Sequence, residues 1–466
     1  MNPQNTTYHF QRALVENALL SDVRVQIDAA GLITSIEADA PAGGADKVPG
    51  IALPGMSNLH SHAFQRLMAG LTERAAGQEE DFWTWRATMY KTLASLTPKD
   101  VEAIASLLYV EMLKAGYTRV GEFHYLHHRP GGVAYDDPTL MSAAVMRAAN
   151  AAGMPLTHLP VLYMVSGFGR QDVDPEQKRF ANTFDQFGDL LRALAEQAAA
   201  TQGITLGLAF HSLRAVPGPV IEPALRLRDE IIPGAMVHMH VAEQRREVAD
   251  CLNYYGAHPI EWLLANAPVD ARWCIVHATH MTDQEAVALA DSGAVVGLCP
   301  TTEANLGDGI FGLERFLKAG GKFGIGSDSH CSVDPREELR LLEYSQRLIT
   351  FERNIGADQV TPHTGVNLWR RAASGGAAAL GHNAGSLEVG RLADIVVIDD
   401  QHASIMGAEG LAAIDSFIFC GHNNPVRYVM IGGKWLVRGG VHVDEEEIFG
   451  QFRPRVEKLR AALSGR

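Results

Sequence analysis

The chain has 466 residues, 47% of them hydrophobic and 20% charged, an ordinary globular composition long enough for a large catalytic barrel and a smaller accessory piece. A formal net charge of −14 argues against general affinity for nucleic acid or anionic membrane, which need clustered Lys and Arg, and leaves an anionic small-molecule substrate open. Five scattered cysteines (Cys251, Cys274, Cys299, Cys331, Cys420) never form a C-x-x-C pair, which fits a reducing compartment and excludes a cysteine-based zinc knuckle.

No secretory-signal pattern and no apolar run of about 18 residues is found, so a cytoplasmic location without a membrane span is expected. The first fifty residues read as short strands, with 23–28 (VRVQID) and 32–38 (LITSIEA) flanking a Gly-containing turn like a hairpin. The chain changes character at IALPGMSNLHSH, an apolar strand that runs into a His-rich end. From there to about Gly385, apolar runs at 117–122, 156–161, 204–209, 235–240, 272–277, 294–298 and 322–326 alternate with helical stretches such as 101–115 and 141–152. With IALPGM these make eight strands, and eight βα units imply an α/β fold closed as a (β/α)8 TIM-like barrel.

After Gly385 short strands return at 393–399, 426–431 and 434–438, the last two joined at Gly432–Gly433, a hairpin signal. Neither strand-rich terminus is large enough for its own core. Residues 1–52 and 386–466 are therefore expected to pair into one small β-sandwich domain beside a barrel of residues 53–385. The final helix, 446–461, is charged and expected to pack on the surface.

His60-Ser61-His62 ends the first barrel strand, and residues i and i+2 of a strand point to one face, so both imidazoles can converge on one ion. Alone, H-x-H is a weak signal in a chain with 19 histidines. Three further residues strengthen it: His240 ends the strand at 235–240, His277 ends the next, and Asp328 follows the last, in FGIGSDSH. Catalytic groups of (β/α)8 enzymes sit at such strand ends. The mixed set His60, His62, His240 and Asp328 suits Zn²⁺, with Fe²⁺ or Mn²⁺ as alternatives. Such an ion lowers the pKa of bound water to roughly 7. Asp328 can then accept the water proton, and His277 can stabilise a tetrahedral intermediate.

LPGMSNLHSHAFQ, HVAE, IVHATH, GIGSDSH and LEVGRLADIVVID together resemble the amidohydrolase superfamily over nearly the whole chain. Members with two metals carry a bridging lysine at the end of strand four, and TLGLAFHSLRAV has none. The resemblance therefore implies a single-metal, deaminase-type site with one ion per subunit. There Glu243, three residues beyond His240, shuttles a proton to the departing nitrogen. The alternative for Glu243 is a group that only orients His240. His238 is read as a structural neighbour deeper in the barrel.

Around these ligands, Gln65 and Arg66 follow the H-x-H, Arg86 lies in DFWTWR, Tyr125 follows strand two, and His211 and Arg214 follow strand four. Two arginines and a tyrosine suit a small dicarboxylate, which Arg can bind in bidentate fashion. A purine site would favour stacking and amide contacts. NLHSHAFQRLMAGLTE, DFWTWR, GEFHYLHH and FHSLRAV are similar to a subgroup of the same family that acts in histidine degradation, removing ammonia from the linear amidine of a dicarboxylate. That similarity implies that Gln65, Arg86, Tyr125, His211 and Arg214 hold the carboxylates and the amidine, and it suggests a homodimer.

Each of these has a bland alternative: Arg86 paired with Asp81, Tyr125 as a core aromatic, Gln65 bonded to backbone. His124, His127 and His128 are read as solvated or structural, His280 and His330 as facing away from the ion, and the loop 166–186 as a lid. Two other functions compete. One is another single-metal aminohydrolase acting on guanine, a pterin or an S-adenosylhomocysteine-like nucleoside. The other is an inactive barrel used as a scaffold, which has no need of Glu243 and His277.

Overall fold

The computed structural model describes residues 5–74, 82–169 and 172–463. Four strands open the chain: β1 (Thr6–Val15), β2 (Ala18–Ile27), β3 (Ile33–Glu37) and β4 (Asp46–Pro54). The barrel strands follow as β5 (Met56–Ser61), β6 (Tyr117–His124), β7 (Leu156–Leu162), β8 (Ile204–Leu206), β9 (Leu208–Ser212), β10 (Val237–Val241), β11 (Trp273–His277), β12 (Val295–Leu298) and β13 (Lys322–Ile325). β8 and β9 are two pieces of one strand interrupted at Gly207, and both pair in parallel with β7. The order β6-β5-β13-β12-β11-β10-β9-β7 is closed by pairing of β6 with β7, giving an eight-stranded parallel barrel. β5, β6, β7, β10, β11 and β12 are buried along their whole length, which explains their continuous apolar character in sequence.

Helices cover the barrel, and their ends are encoded locally. The helix Pro98–Ala115 starts at Thr97, whose backbone N–H donates to Asp100 at 2.8 Å, with Pro at the first helical position. It ends at Gly116 with φ 105°, where a side chain would be strained.

Four more strands close the chain: β14 (Ile395–Ile398), β15 (Val426–Ile431), β16 (Lys434–Arg438) and β17 (Val441–His442). β14 pairs antiparallel with β4, so both termini contribute to one continuous sheet of order β17-β16-β15-β14-β4-β1-β2-β3. Tyr8, Phe10, Val25, Ile27, Val397 and Met430 form its own core. The Gly432–Gly433 hairpin joins β15 and β16 as expected. A buried ion pair, Arg119 Nε to Asp394 at 2.5 Å, ties this sheet to barrel strand β6.

The apolar stretch IALP differs from its sequence reading. It is the end of β4 in the terminal sheet, and the first barrel strand begins only at Met56. The chain passes between the two at Gly55, where a Cβ would lie 2.4 Å from Thr118 Oγ1. The C-terminal helix Glu445–Leu463 lies on the surface against helix Pro98–Ala115, with Ile448 its buried residue and Lys114–Glu445 and Arg455–Asp100 contacts of 2.8 and 2.7 Å. Among the described residues no helix is long and apolar enough to cross a membrane.

Candidate active site

Parallel strands deliver their C-terminal ends to one face of the barrel, and the chemistry-bearing residues gather there. His60 and His62 come from the end of β5, His240 from β10, His277 from β11, and Asp328 from the loop after β13. Close approach of that loop depends on Gly326, where a Cβ would lie 2.8 Å from His60 Cβ and the His60 carbonyl. The backbone is strained at the same face. Ala242, His277, Ala278, Asp328 and His330 all have positive φ, between 45° and 70°, a conformation that non-glycine residues adopt at a cost and that gathers at functional sites.

The three imidazoles of His60, His62 and His240 present ligand atoms within 4.8 Å of one another, with the Nε2 atoms of His60 and His240 2.9 Å apart. Asp328 Oδ1 lies 3.5 Å from His60 Nε2 and 3.3 Å from His62 Nε2. His62 Nδ1 donates to the Phe123 carbonyl at 2.7 Å, and His240 Nδ1 to the His211 carbonyl at 2.9 Å. Those bonds commit Nδ1–H outward and leave Nε2 as a bare lone pair facing inward. Burial and neighbouring imidazoles hold all three rings well below the usual imidazole range, which favours their neutral form. Three neutral imidazoles and a carboxylate, converging in a buried space, fit a divalent cation.

A second grouping brings Cys299 Sγ near His277 and Asp328. Burial pushes the Cys299 thiol up. Three carboxylates draw His277 toward its protonated form. Burial alone would lower its pKa, but Glu243, Glu303 and Asp328 override this and raise it to about 10. Its Nδ1 is 3.2 Å from Glu303 Oε1, which also accepts the Cys299 N–H at 2.9 Å. Glu243 is buried, which raises it to about 7 against the opposing pull of His277. The neighbouring Glu247 binds the backbone N–H groups of Ala242 and Glu243, both at 3.1 Å, and so fixes the turn that carries Glu243.

One narrow cavity of about 50 Å³ joins these groups to the remaining residues singled out in the sequence. Its lining includes Gln65, Arg86, Tyr125, His211 and Arg214 together with His62, His240, Glu243, His277 and Asp328. Gln65 Nε2 donates to Tyr125 OH at 2.8 Å, and Gln65 Oε1 is buried without a hydrogen-bond partner among the described residues. Arg86 Nε donates to Tyr90 OH. Arg214 is buried near Glu247 and Glu243, its Nε and Nη1 have no hydrogen-bond partner among the described residues, and its guanidinium lies 5.8 Å from the Trp83 ring centroid. His211 lies edge-on to His240 at 5.2 Å. Asp81, the alternative partner of Arg86, lies outside the described residues, as do residues 170 and 171 of the loop 166–186. Phe180, from the described part of that loop, lines the cavity.

Other expectations resolve as follows. His238 Nε2 donates to the Ala379 carbonyl at 2.8 Å and stays out of the ligand cluster. His330 is buried between Ser61 and Ser327, away from the cluster, and His280 lines no part of the cavity. His124, His127 and His128 are buried rather than solvated, because the residues around β6 lie under covering helices and loops. Arg66 is spent on the His330 carbonyl at 2.7 Å and on Glu111 at 2.6 Å.

Sequence reasoning missed Glu303, Tyr90, Tyr163 and Trp85, which either line the cavity or orient a residue that does. Tyr90 was within reach, since it lies four residues beyond Arg86 on the helix Phe82–Leu93 and hence on the same face. Glu303 gave no local signal, because it reaches His277 from the helix Pro300–Leu306, 26 residues along the chain.

Comparison with known proteins agrees with this layout. A family model described as the amidohydrolase family matches residues 51–436. The chain is 49% identical over 436 residues to a formimidoylglutamate deiminase of Pseudomonas aeruginosa, covering 94% of this chain and 95% of that protein. An amidohydrolase structure from Brucella melitensis superposes with a TM-score of 0.91 at 43% identity, covering 97% of this chain and 99% of that one. A zinc-bound adenosine deaminase from Xanthomonas campestris shares the fold over 100% of both chains, with a TM-score of 0.83 at 21% identity.

Proposed function

This chain belongs to the amidohydrolase family, and from that premise we propose that it hydrolyses N-formimidoyl-L-glutamate to N-formyl-L-glutamate and ammonia. The observation that carries the reading is the pair Arg86 and Arg214 in the same cavity as His62, Asp328 and Glu243. A buried guanidinium with two unpartnered N–H-bearing nitrogens calls for an anion, and a substrate with two carboxylates supplies one for each arginine. A neutral purine would offer no counter-charge to either arginine, which weighs against guanine, pterin and nucleoside substrates.

His60, His62, His240 and Asp328 are the residues proposed to hold one divalent ion, with Zn²⁺ favoured by the nitrogen-rich set and Fe²⁺ or Mn²⁺ as alternatives. When bound, such an ion supplies Lewis acidity that brings a water proton within reach of a carboxylate near neutral pH. Asp328 is the proposed acceptor of that proton as water adds to the amidine carbon. His277, held protonated, hydrogen-bonds the adduct from its Nε2 side. Glu243, poised at about 7, delivers a proton to the terminal nitrogen, the C–N bond to that nitrogen breaks, and ammonia leaves as the carbonyl forms. Gln65 and Tyr125 are proposed to orient the amidine, with Gln65 Oε1 accepting a substrate N–H, while His211 borders the same end of the cavity.

The test is ammonia release by purified protein from N-formimidoyl-L-glutamate, run beside guanine and adenosine. Turnover of the dicarboxylate alone is the expected result. Release from the purines alone overturns the substrate assignment, and release from none, at full metal occupancy, overturns the activity.

A further inference from the structure

Glu122, on β6, lies behind the His60-Ser61-His62 segment and not in the cavity. It is fully buried and accepts three hydrogen bonds: Ser61 Oγ at 2.6 Å, Ala63 N–H at 2.6 Å and Tyr109 OH at 3.1 Å. No cation is among its partners in the described residues. Unpaired buried carboxylates are costly, and packing alone does not require one here.

The bonds continue beyond Ser61. Its Oγ lies 3.1 Å from His330 Nε2, whose Nδ1 lies 2.9 Å from Ser327 Oγ. Asn58 Nδ2 donates to Ser327 Oγ at 2.6 Å, and Ser327 N–H donates to Asn58 Oδ1 at 3.0 Å. Only one assignment of protons satisfies this series when Glu122 is an acceptor. Asn58 donates to Ser327, Ser327 Oγ–H to His330 Nδ1, His330 Nε2–H to Ser61, and Ser61 Oγ–H to Glu122. All the bonds run one way and terminate on a carboxylate, the arrangement in which each strengthens the next.

The series bridges a weak seam in the barrel. β13 and β5 share the single register pair Ile325↔Asn58, followed by the isolated bridge Ser61↔Asp328. Ser61 stands between two proposed ligands and Ser327 immediately precedes a third. We propose that Glu122 is a positioning residue that, through Ser61 and Ala63, locks the His60–His62 segment against the Asp328 loop and so sets how tightly the divalent ion is held. Glu122 touches neither ion nor substrate. A glutamine at 122 offers one acceptor oxygen in place of two and turns an NH₂ toward a donor.

This rests on the assignment of His60, His62, His240 and Asp328 as the metal site. The experiment measures Zn²⁺ affinity and Zn²⁺ release to a chelator for the full chain, with melting temperatures of the zinc-loaded and metal-free forms. Burial raises Glu122 to about 7, so the work is done at about pH 8, where its carboxylate form predominates. Glu122→Gln and Ser61→Ala are expected to weaken Zn²⁺ binding by roughly 10–100-fold and to speed release, the usual scale for lost ligand support. The gap in melting temperature between loaded and metal-free protein narrows. Tyr109→Phe, which removes one donor away from the ligands, has a smaller effect. Unchanged affinity and release in Glu122→Gln, even with equal destabilisation of both forms, overturns the proposal. If that variant does not fold, Ser61→Ala decides by the same criteria. Failure of the wild-type chain to bind Zn²⁺ overturns the metal site itself and is distinguishable from both.

Discussion

His277 Nδ1 meets Glu303 Oε1 at 3.2 Å, while its Nε2 faces the cavity 3.9 Å from both Glu243 and Asp328. One ring thus bridges a buried carboxylate on the helix Pro300–Leu306 and the two carboxylates proposed to move protons. Replacing Glu303 by Gln removes one of the charges that hold His277 at about 10. Its pKa falls, so the loss of activity on the basic side of the kcat profile moves to lower pH, with KM nearly unchanged. An unmoved basic limb shows that His277 is not needed as a cation.

Glu243 acts on the departing nitrogen under the proposed mechanism. Glu243→Gln should lower kcat by about 10²–10⁴-fold, the range typical of a lost general acid or base. Metal content, measured by elemental analysis, stays at the wild-type level. Loss of metal together with activity would instead mark Glu243 as a support for His240.

The two arginines should separate by substrate. Arg86→Met and Arg214→Met each remove a charge-assisted contact, commonly worth about 1.5–3 kcal/mol, and should raise KM for N-formimidoyl-L-glutamate by roughly 10–100-fold. An analogue with one carboxylate should be affected strongly by only one of the two substitutions. Equal, small effects of both variants on both compounds contradict carboxylate binding here.

Removing the ion should abolish turnover and lower the melting temperature, because a ligand that binds only the folded state at about 100 times its Kd adds roughly 2.7 kcal/mol. Adding back Zn²⁺, Fe²⁺ and Mn²⁺ separately, with activity and melting followed together, ranks them. Full activity after verified metal removal excludes the metal-assisted mechanism.

Acid should destabilise the protein at pH values above the ordinary carboxylate range. His127 and His158 are buried, which lowers both to about 3, so the folded state holds fewer protons than the unfolded state between about pH 6.5 and 3. Stability contributed by these neutral rings is present above about pH 6.5 and is lost as pH falls, by up to about 1.4 kcal/mol per pH unit for each. Melting temperatures recorded across this range should fall, and His158→Gln should flatten the slope. A slope unchanged by that substitution assigns the acid lability to other groups.

Much of the fold was legible because its determinants are local. Parallel strands buried on both faces read as continuous apolar runs, helix ends carry capping residues such as Thr97 and Gly116, and a barrel collects strand ends on one face. The candidate cluster followed from the same logic, since His60, His62, His240, His277 and Asp328 all stand at or just past strand ends. The IALP stretch escaped because an apolar strand of the terminal sheet and one of the barrel have the same composition. Only the partner strand, β14, tells them apart.

By itself, then, the sequence determined the barrel and the strand-end histidines and aspartate, because period and position encode them, while its resemblance to the amidohydrolase family pointed to the two cavity arginines. The tertiary structure alone decided which nitrogen of each imidazole faces inward and which residues stand behind the cluster. Nδ1 of His62 and His240 is fixed by the carbonyls of Phe123 and His211, 61 and 29 residues away. Glu303 and Glu122 reach His277 and Ser61 across separations of 26 and 61 residues. Such contacts exist only after the barrel has closed, since they depend on which strands become neighbours and not on the local pattern of either.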